Sequence, residues 1–433
     1  MLSARYIASL SDELIELYSQ MEFEIKKDIF RRLNRLGKVT DSVLYQTELL
    51  QETGGLNADV KKILNFYDSK AKKQLRLLYK EALKKSIDKD LSYYKMAGRK
   101  LSDNQIKSLN ALIDHLIEPD NPQFTVNKTY AARITSLVDI EENLIRLTRT
   151  VADNTEKAFI KAANKSYLEV STGAKTWQKA YKESVLSIAR DYKPITTYSK
   201  GEPQTIYHPV VTYSGSGTIR QYSIESAVRS NIMTGINQTC SQVTWETNEE
   251  LGNDLVEVSA HLGARPFHAE LQGKVYCLNG EREYIDGNGQ KQFAPNFQET
   301  CHFGEPDGIC GINCRHSFYP YFEGMPAEYS NGELSEMKDN TVKLNGKEVT
   351  QYEAEQDLRN CERNIRHYKQ EITGLEIGKQ TDAPEYMNAK NKLYEWQQNA
   401  RNIVEETGIR RSYTNEYIGT KDGKQPKGIK PKE

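Results

Sequence analysis

Hydrophobic residues recur every three or four positions through most of the first 190 residues, and this spacing places them on one face of a helix. The first such stretch predicts a helix over residues 9–36, and Gly37 ends the pattern. Four further helices are predicted by the same spacing at about 57–87, 103–117, 126–168 and 175–190. We therefore assign residues 1–195 to one long helical domain.

Two local signals set boundaries within this half. Gly54 and Gly55 are expected to interrupt the chain before the second helix, because glycine lowers helix stability. Ser102 and Gln105 have the spacing of a capping box and are expected to start the third helix.

The pattern changes near Pro194. Residues 206–213 are apolar and β-branched, residues 214–217 form a Ser-Gly turn signal, and residues 218–222 continue as an extended segment. This combination predicts a β-hairpin. A clean helical pattern over 224–243 and two strand patterns at 255–260 and 274–278 then follow. Strands mixed with a helix predict a small α+β module, which we place at residues 196–325.

The C-terminal part is again helical. Residues 326–349 are expected to form a linker with a small hairpin around Asn345-Gly346. Residues 350–410 are expected to form an antiparallel helical pair, with helices at about 350–375 and 384–406. Residues 411–433 are predicted to be a disordered basic tail, since the sequence from Gly419 onward is polar and lysine-rich. The predicted fold class is α+β.

Composition narrows the class of protein. The 433 residues include 59 Lys and Arg against 60 Asp and Glu, for a net charge of −1. No apolar run is long enough to span a membrane, and the first residues lack the apolar core of a secretory signal. Six cysteines are too few for a disulfide scaffold, which indicates a reduced, intracellular origin.

The charges are unevenly distributed. Residues 61–100 carry 13 basic and 4 acidic side chains, whereas residues 201–340 carry 8 basic and 19 acidic ones. The basic stretch predicts either contact with nucleic acid or an acidic protein surface, or an ordinary solvated helix face. The acidic middle of the chain argues against DNA binding by the whole protein.

Candidate metal ligands are concentrated between residues 257 and 324, where four of the seven histidines and four of the six cysteines lie. Cys310 and Cys314 have a spacing that structural zinc sites use. His316 follows closely, and His268 or Cys301 from the preceding segment would complete a tetrahedron. These residue types predict a structural zinc ion, because thiolate and imidazole are its preferred ligands.

Two alternatives stay open for the same residues. In the first alternative, the cysteines are small buried apolar side chains and the histidines are hydrogen-bonded to the backbone. A catalytic role is the second alternative, with Cys314 as nucleophile and His316 as base, or His261, His268 and Glu270 around a hydrolytic metal. No H-E-x-x-H spacing supports the hydrolytic version.

Three motifs in this segment carry a family resemblance. They are the runs Ser259–His268, Gln272–Tyr276 and Cys310–Pro320. Together they resemble the phage minor capsid protein 2 family and, more remotely, the Mu F-like head morphogenesis proteins. Leu271 departs from the pattern, which has Trp before the Gln-Gly pair. Close motif identity covers about 70 residues, and the helical halves match the layout more loosely.

The resemblance implies a structural minor capsid protein of a tailed bacteriophage or prophage, associated with the portal vertex and assisting head assembly or DNA packaging. It implies no catalytic residues and no small-molecule substrate. The expected partners are the portal and other head proteins, with DNA contact through residues 61–100. The expected location is the virion, and the host cytoplasm during assembly.

Further motif residues are assigned structural roles. Arg265 and Arg315 are expected to brace loops, Gln272 and Asn313 to hydrogen-bond turns, and His261 and Gly273 to belong to the motif framework. The alternative function is a metal-dependent hydrolase or toxin-like effector on a head-protein scaffold. The sequence leaves few residues for an additional enzyme domain, because the chain after Pro326 is predicted to form helices and a tail.

Overall fold

The computed structural model describes residues 2–39, 41–118, 137–189, 224–303, 305–419 and 427–428. It also gives the backbone of four strands between residues 195 and 222. The predicted start of the fourth helix, at 126–136, lies outside the described residues, as do residue 304 and most of the chain after Gly419.

Helices dominate the N-terminal half, as the hydrophobic spacing predicts. They are α1 (Ala4–Ser9), α2 (Asp12–Leu36), α3 (Ser42–Met96), α4 (Asp103–Ile117), α5 (Leu137–Ser171) and α6 (Trp177–Ala189). The capping box at Ser102 is present, with Gln105 closing it. The longest helix, α3, has 55 residues and is about 80 Å long at a rise of 1.5 Å per residue.

The predicted interruption at Gly54 and Gly55 is wrong, because α3 runs through both residues. A side chain at Gly55 would meet Arg32 of α2, with a Cβ only 2.6 Å from the guanidinium Nη1. The glycine therefore admits a buried arginine from the neighbouring helix. Packing of Leu56 and Val60 against the core offsets the low helix propensity.

A large helical core joins these elements to a further helix, α7 (Ile224–Glu250). Ile232 and Ile236 of α7 are fully buried beside residues of α2, α3 and α5. Since α7 also contacts the sheet described below, it belongs to both predicted domains. The division at residue 195 therefore stays a prediction.

Two hairpins precede α7. The first pairs β1 (Ile195–Ser199) with β2 (Glu202–Ile206), and the second pairs β3 (Val211–Gly215) with β4 (Thr218–Tyr222). The predicted hairpin is present as β3–β4, whose antiparallel pairing ends at Gly215 and Thr218. Its first strand begins at Val211, however, and Ile206 belongs to β2.

A three-stranded antiparallel sheet forms the centre of the α+β module. Its order is β6 (Val275–Cys277), β5 (Leu255–Val258) and β9 (Phe318–Pro320). Alternate residues of β5 point to opposite faces. Val256 and Val258 join a core with Phe297 and Phe318, whereas Leu255 packs with Tyr321 on the other face. Both faces are therefore covered.

Short elements surround this sheet. They are α8 (Pro266–Ala269), the hairpin of β7 (Arg282–Ile285) and β8 (Lys291–Ala294), α9 (Phe297–Cys301) and α10 (Asn331–Lys338). The long connections between them supply the motif residues. The module also contacts the helical half directly, since Tyr93 of α3 stacks on Tyr319 of β9 with ring centroids 4.6 Å apart.

The C-terminal prediction is confirmed in its elements. The hairpin of β10 (Thr341–Leu344) and β11 (Lys347–Thr350) turns at Asn345-Gly346 and leads into α11 (Gln351–Ile377) and α12 (Pro384–Thr407). Gly374 allows α11 to lie against the helical core, because a Cβ there would be 2.4 Å from Val185 Cγ1.

The beginning of the predicted disordered tail is folded. A 3₁₀ turn at Tyr413–Glu416 lies against α11, and Arg411 forms an ion pair with Glu416, whose Oε2 is 2.9 Å from Nη2. Residues 411–419 therefore need correction from tail to packed segment. No helix within the described part of the chain is both long enough and apolar enough to cross a membrane.

Candidate functional site

The His/Cys cluster is built from two segments that flank β5 and β9. After β5, Pro266 starts the short helix α8 and His268 lies within it. Before β9, the loop containing Cys314 leads through His316 into the strand. Because β5 and β9 are paired neighbours, the two segments meet at one edge of the module.

Three of the predicted ligands come together there. The Sγ atom of Cys314 lies 3.6 Å from Nδ1 of His268 and 3.5 Å from Nδ1 of His316. All three side chains are buried, with residue exposures of 1–2 %. The three donor atoms lie within 4.8 Å of one another.

The outer nitrogen of each imidazole is held by an oxygen. His268 Nε2 lies 2.6 Å from the backbone carbonyl of Asp307, and His316 Nε2 lies 3.0 Å from Oε1 of Gln272. The same Gln272 oxygen accepts a hydrogen bond from the backbone N–H of His261 at 3.1 Å. Gln272 therefore orients His316 and ties it to the preceding loop.

The other two predicted ligands lie outside this group. The Cys310 sulfur is 3.2 Å from the Ser241 hydroxyl and 3.5 Å from the His316 carbonyl. Cys301 is fully buried in the module core. A C-x₃-C spacing does not specify side-chain direction. Cys310 has a left-handed φ of 61°, and its side chain does not join that of Cys314 in the cluster.

Burial determines the charge state of the cluster. It lowers the pKa of His268, and it holds the pKa of His316 well below its usual range, with His261 and His268 adding to the effect. Both rings are therefore neutral near pH 7. Burial raises the pKa of the Cys314 thiol, while the backbone N–H of His316, 3.3 Å from Sγ, opposes that shift.

The motif residues brace the surrounding loops. Arg265 donates to the Ile312 carbonyl, and Arg315 donates to the Gly263 carbonyl at 2.9 Å and to Glu355 at 3.1 Å. Both arginines thus contact backbone oxygens or a carboxylate of the surrounding loops.

The remaining motif residues form turns. Gly273 has a φ of 68°, and a Cβ there would lie 2.2 Å from Leu334 Cδ2. Asn313 is also left-handed, and its backbone N–H donates to the Thr234 hydroxyl at 3.2 Å. His261 lies at the edge of the cluster, where its ring centroid is 4.3 Å from that of His316. Its Nδ1 is 2.8 Å from the Leu262 carbonyl.

Sequence reasoning missed two supporting residues on α7. Asn237 donates from Nδ2 to the His316 carbonyl at 2.7 Å, and Ser241 contacts Cys310. Both are buried polar residues four positions apart, so they lie on the same helix face. Two polar positions within an apolar helical pattern were the available signal.

A basic cleft adjoins His261 and Arg315. Its volume is about 1130 Å³, and its walls include seven arginines and four Asp or Glu residues. Arg359 and Arg363 of α11 face it. Burial, with the nearby Arg366 and Arg359 acting in the same direction, lowers the pKa of Arg363 to about 10. The cleft therefore favours an anionic occupant.

The basic stretch 61–100 carries its positive charge on the surface, since all 13 of its Lys and Arg side chains are exposed. Within the described part of the chain, three of them have a carboxylate within 4.0 Å: Lys62, Arg76 and Lys85. The other ten have no such ion pair among the described residues, so this surface carries net positive charge.

Comparison with known proteins relates the chain to a family of phage proteins. Residues 2–405 match the family model described as phage minor capsid protein 2. The chain is also 26% identical over 248 residues to a protein named "Structural protein" from Lactococcus phage LL-H. That alignment covers 56% of this chain and 60% of the relative, so the chain spans less than two thirds of that protein's length. No solved structure matches.

Proposed function

Because the chain belongs to the phage minor capsid protein 2 family, we propose that it is a structural minor component of a tailed-phage or prophage head, positioned at the portal vertex. The observation that carries this proposal is the family match over residues 2–405, which includes the helical half, the sheet module and the helical pair. The phage structural protein among its relatives supports the virion as its location. Assembly takes place in the host cytoplasm.

Its role in the head is contact rather than catalysis. Burial of His268, Cys314 and His316 supports this, since exposures of 1–2 % leave no path for a substrate to the cluster. The three-ligand geometry is the feature that favours the alternative, a metal-dependent hydrolase. That alternative requires a solvent-facing coordination position.

Helix α3 provides a surface for DNA entering through the portal vertex. Apart from Lys62, Arg76 and Lys85, its exposed lysines and arginines have no carboxylate within 4.0 Å among the described residues and can neutralise phosphates. A helix about 80 Å long presents this charge along an extended line. The contact is electrostatic and independent of DNA sequence.

The basic cleft is the proposed contact for an acidic segment of a neighbouring head protein. Arginines that are partly buried beside one another are stabilised by a nearby negative charge. A guanidinium also binds carboxylates in a bidentate geometry, which fixes orientation. Charge reversal at Arg359 and Arg363 should reduce incorporation into heads, whereas reversal at the exposed Arg401 of α12 should not.

The head assignment is tested by quantitative mass spectrometry of purified particles and empty heads from the phage or induced prophage. We expect the protein in both, at a constant copy number far below that of the major capsid protein. Absence from both, with free protein in the lysate, contradicts a structural role and favours an assembly-only factor or an enzyme.

The DNA contact is tested separately by measuring affinity for duplex DNA against salt concentration. Replacing Lys73 and Lys80 with Gln should flatten the slope of log Kobs against log[salt] by about 1.8, at about 0.9 per phosphate contact. Lys343 and Lys347 on the C-terminal hairpin are exposed and provide the matched control. Equal slopes for the two double variants would show that α3 is an ordinary solvated helix.

A further inference from the structure

We propose that His268, Cys314 and His316 bind one Zn²⁺ ion in the α+β module. The two Nδ1 atoms and the Sγ atom form the inner set, and each imidazole uses its Nε2 atom for an outer contact. This site is independent of the proposed contacts with DNA and head proteins.

The spacing of the donor atoms matches zinc. Bonds of about 2.3 Å to sulfur and about 2.0 Å to nitrogen, at a tetrahedral angle, place the two ligand atoms about 3.5 Å apart. The observed separations from Cys314 Sγ are 3.6 Å to His268 and 3.5 Å to His316. Two edges of the coordination tetrahedron are therefore already formed.

Proton accounting gives the second argument. The Asp307 carbonyl can only accept, so His268 carries its proton on Nε2 and presents a lone pair at Nδ1. Gln272 Oε1 is identified as the oxygen because it also accepts the His261 backbone N–H. His316 must therefore carry its proton on Nε2 as well, and its Nδ1 also presents a lone pair.

Two imidazole lone pairs thus point at one sulfur. A neutral thiol has a single hydrogen and can satisfy only one of them. A cation between the three atoms satisfies both nitrogens and the sulfur together, with Cys314 as the thiolate. The backbone N–H of His316 donates to that sulfur, and such a bond favours the charged form.

The outer contacts have the arrangement that metal-binding histidines commonly show. Each ring donates its other N–H to an oxygen that fixes its tautomer and orientation. A mixed nitrogen and sulfur set selects a borderline-soft ion such as Zn²⁺ over Mg²⁺ or Ca²⁺, which prefer oxygen ligands.

Cys310 is a supporting residue in this arrangement. Its sulfur contacts Ser241 on α7 and lies outside the three-atom group. Three protein ligands leave one position for a small ligand such as water. The ion connects α8 to the loop that leads into β9.

The first test measures metal in the full-length protein, purified without chelator, by inductively coupled plasma mass spectrometry. We expect about one zinc per chain, lost in Cys314→Ser and His268→Ala. Cys277→Ser and His115→Ala are matched controls outside the His/Cys cluster and should retain it. Loss of zinc in Cys310→Ser as well would overturn the three-ligand assignment.

A second test does not depend on variants that fold. Wild-type protein stripped with a chelator and loaded with Co²⁺ should show the visible bands of tetrahedral cobalt and a sulfur-to-cobalt charge-transfer band. Its melting temperature should fall on stripping and recover with Zn²⁺, because the ion binds the folded state. No cobalt spectrum and an unchanged melting temperature would overturn the site and leave a hydrogen-bonded cluster.

Discussion

We expect Glu257 to make the stability of the module depend on pH. It lies in the central strand β5, paired with Val275 on one side and Tyr319 on the other, and it is only 1% exposed. The backbone N–H of Glu328 donates to both of its oxygens, at 3.1 and 3.2 Å. Burial nevertheless dominates and raises the pKa of Glu257 from 4.5 to about 7.

The raised pKa determines whether stability rises or falls with pH. The folded state binds the proton more tightly than the unfolded state, so the contribution to stability is complete below about pH 4.5. It is lost as the pH rises through about 7. The difference between the two pKa values corresponds to about 3 kcal/mol, most of which is lost by pH 8.

Glu257→Gln removes this titration while keeping the shape and an acceptor for the Glu328 N–H. We expect the variant to be more stable than wild type at pH 8, by up to about 3 kcal/mol, and the advantage to disappear near pH 4.5. Urea unfolding at several pH values measures the difference. Glu299→Gln, at an exposed position on α9, is the control for a lost surface charge.

Two results would refute this reasoning. One is a stability difference between Glu257→Gln and wild type that stays constant with pH. The other is a variant that becomes less stable than wild type as the pH rises. That result would mean that the sheet stabilises the charged form of the Glu257 carboxylate.

Two further predictions concern packing and buried charge. Phe297→Ala should destabilise the protein by about 3–5 kcal/mol, because the ring is fully buried among other aromatic rings. Phe293→Ala, at a 57% exposed position, should change the stability little. Thermal unfolding of the two variants measures the difference. Arg32→Gln should lower the free energy of unfolding by about 3 kcal/mol, because its side chain is 8% exposed and Asp28, Glu52 and Asp59 each lose their contact with its guanidinium. Arg35→Gln removes a 52% exposed partner of the same Glu52 and should cost less than about 1 kcal/mol in urea unfolding; equal losses would contradict this account.

Periodic elements could be predicted from the sequence because their apolar spacing reports a face to be buried. The helices at 12–36 and 351–377 and the hairpin at Asn345-Gly346 illustrate this. The continuity of α3 could not be predicted, because local glycine propensity gave the opposite answer. Its cause is a tertiary contact with Arg32, which no local pattern contains.

The packed segment at 411–419 is similar. Its composition is that of a tail, yet Ile418 is buried and Lys369 of α11 donates to the Glu416 carbonyl at 2.6 Å. These contacts come from residues more than 40 positions away. Local polarity could not reveal them.

The candidate site was partly accessible from the sequence. Residue type and clustering identified His268, Cys314 and His316, because few structural reasons bring such residues together. The choice between Cys310 and Cys301 required side-chain directions, which depend on left-handed residues in the loop. The tautomers depend on Asp307 and Gln272, whose roles arise only from the folded contacts.

The most direct test of the proposed role is an asymmetric cryo-electron microscopy reconstruction of the phage head. We expect density for this protein beside the portal, recognisable by the 55-residue rod of α3, with its basic face toward the DNA channel. Density for the same rod distributed over the capsid shell, or found at no vertex, would contradict a portal-vertex role.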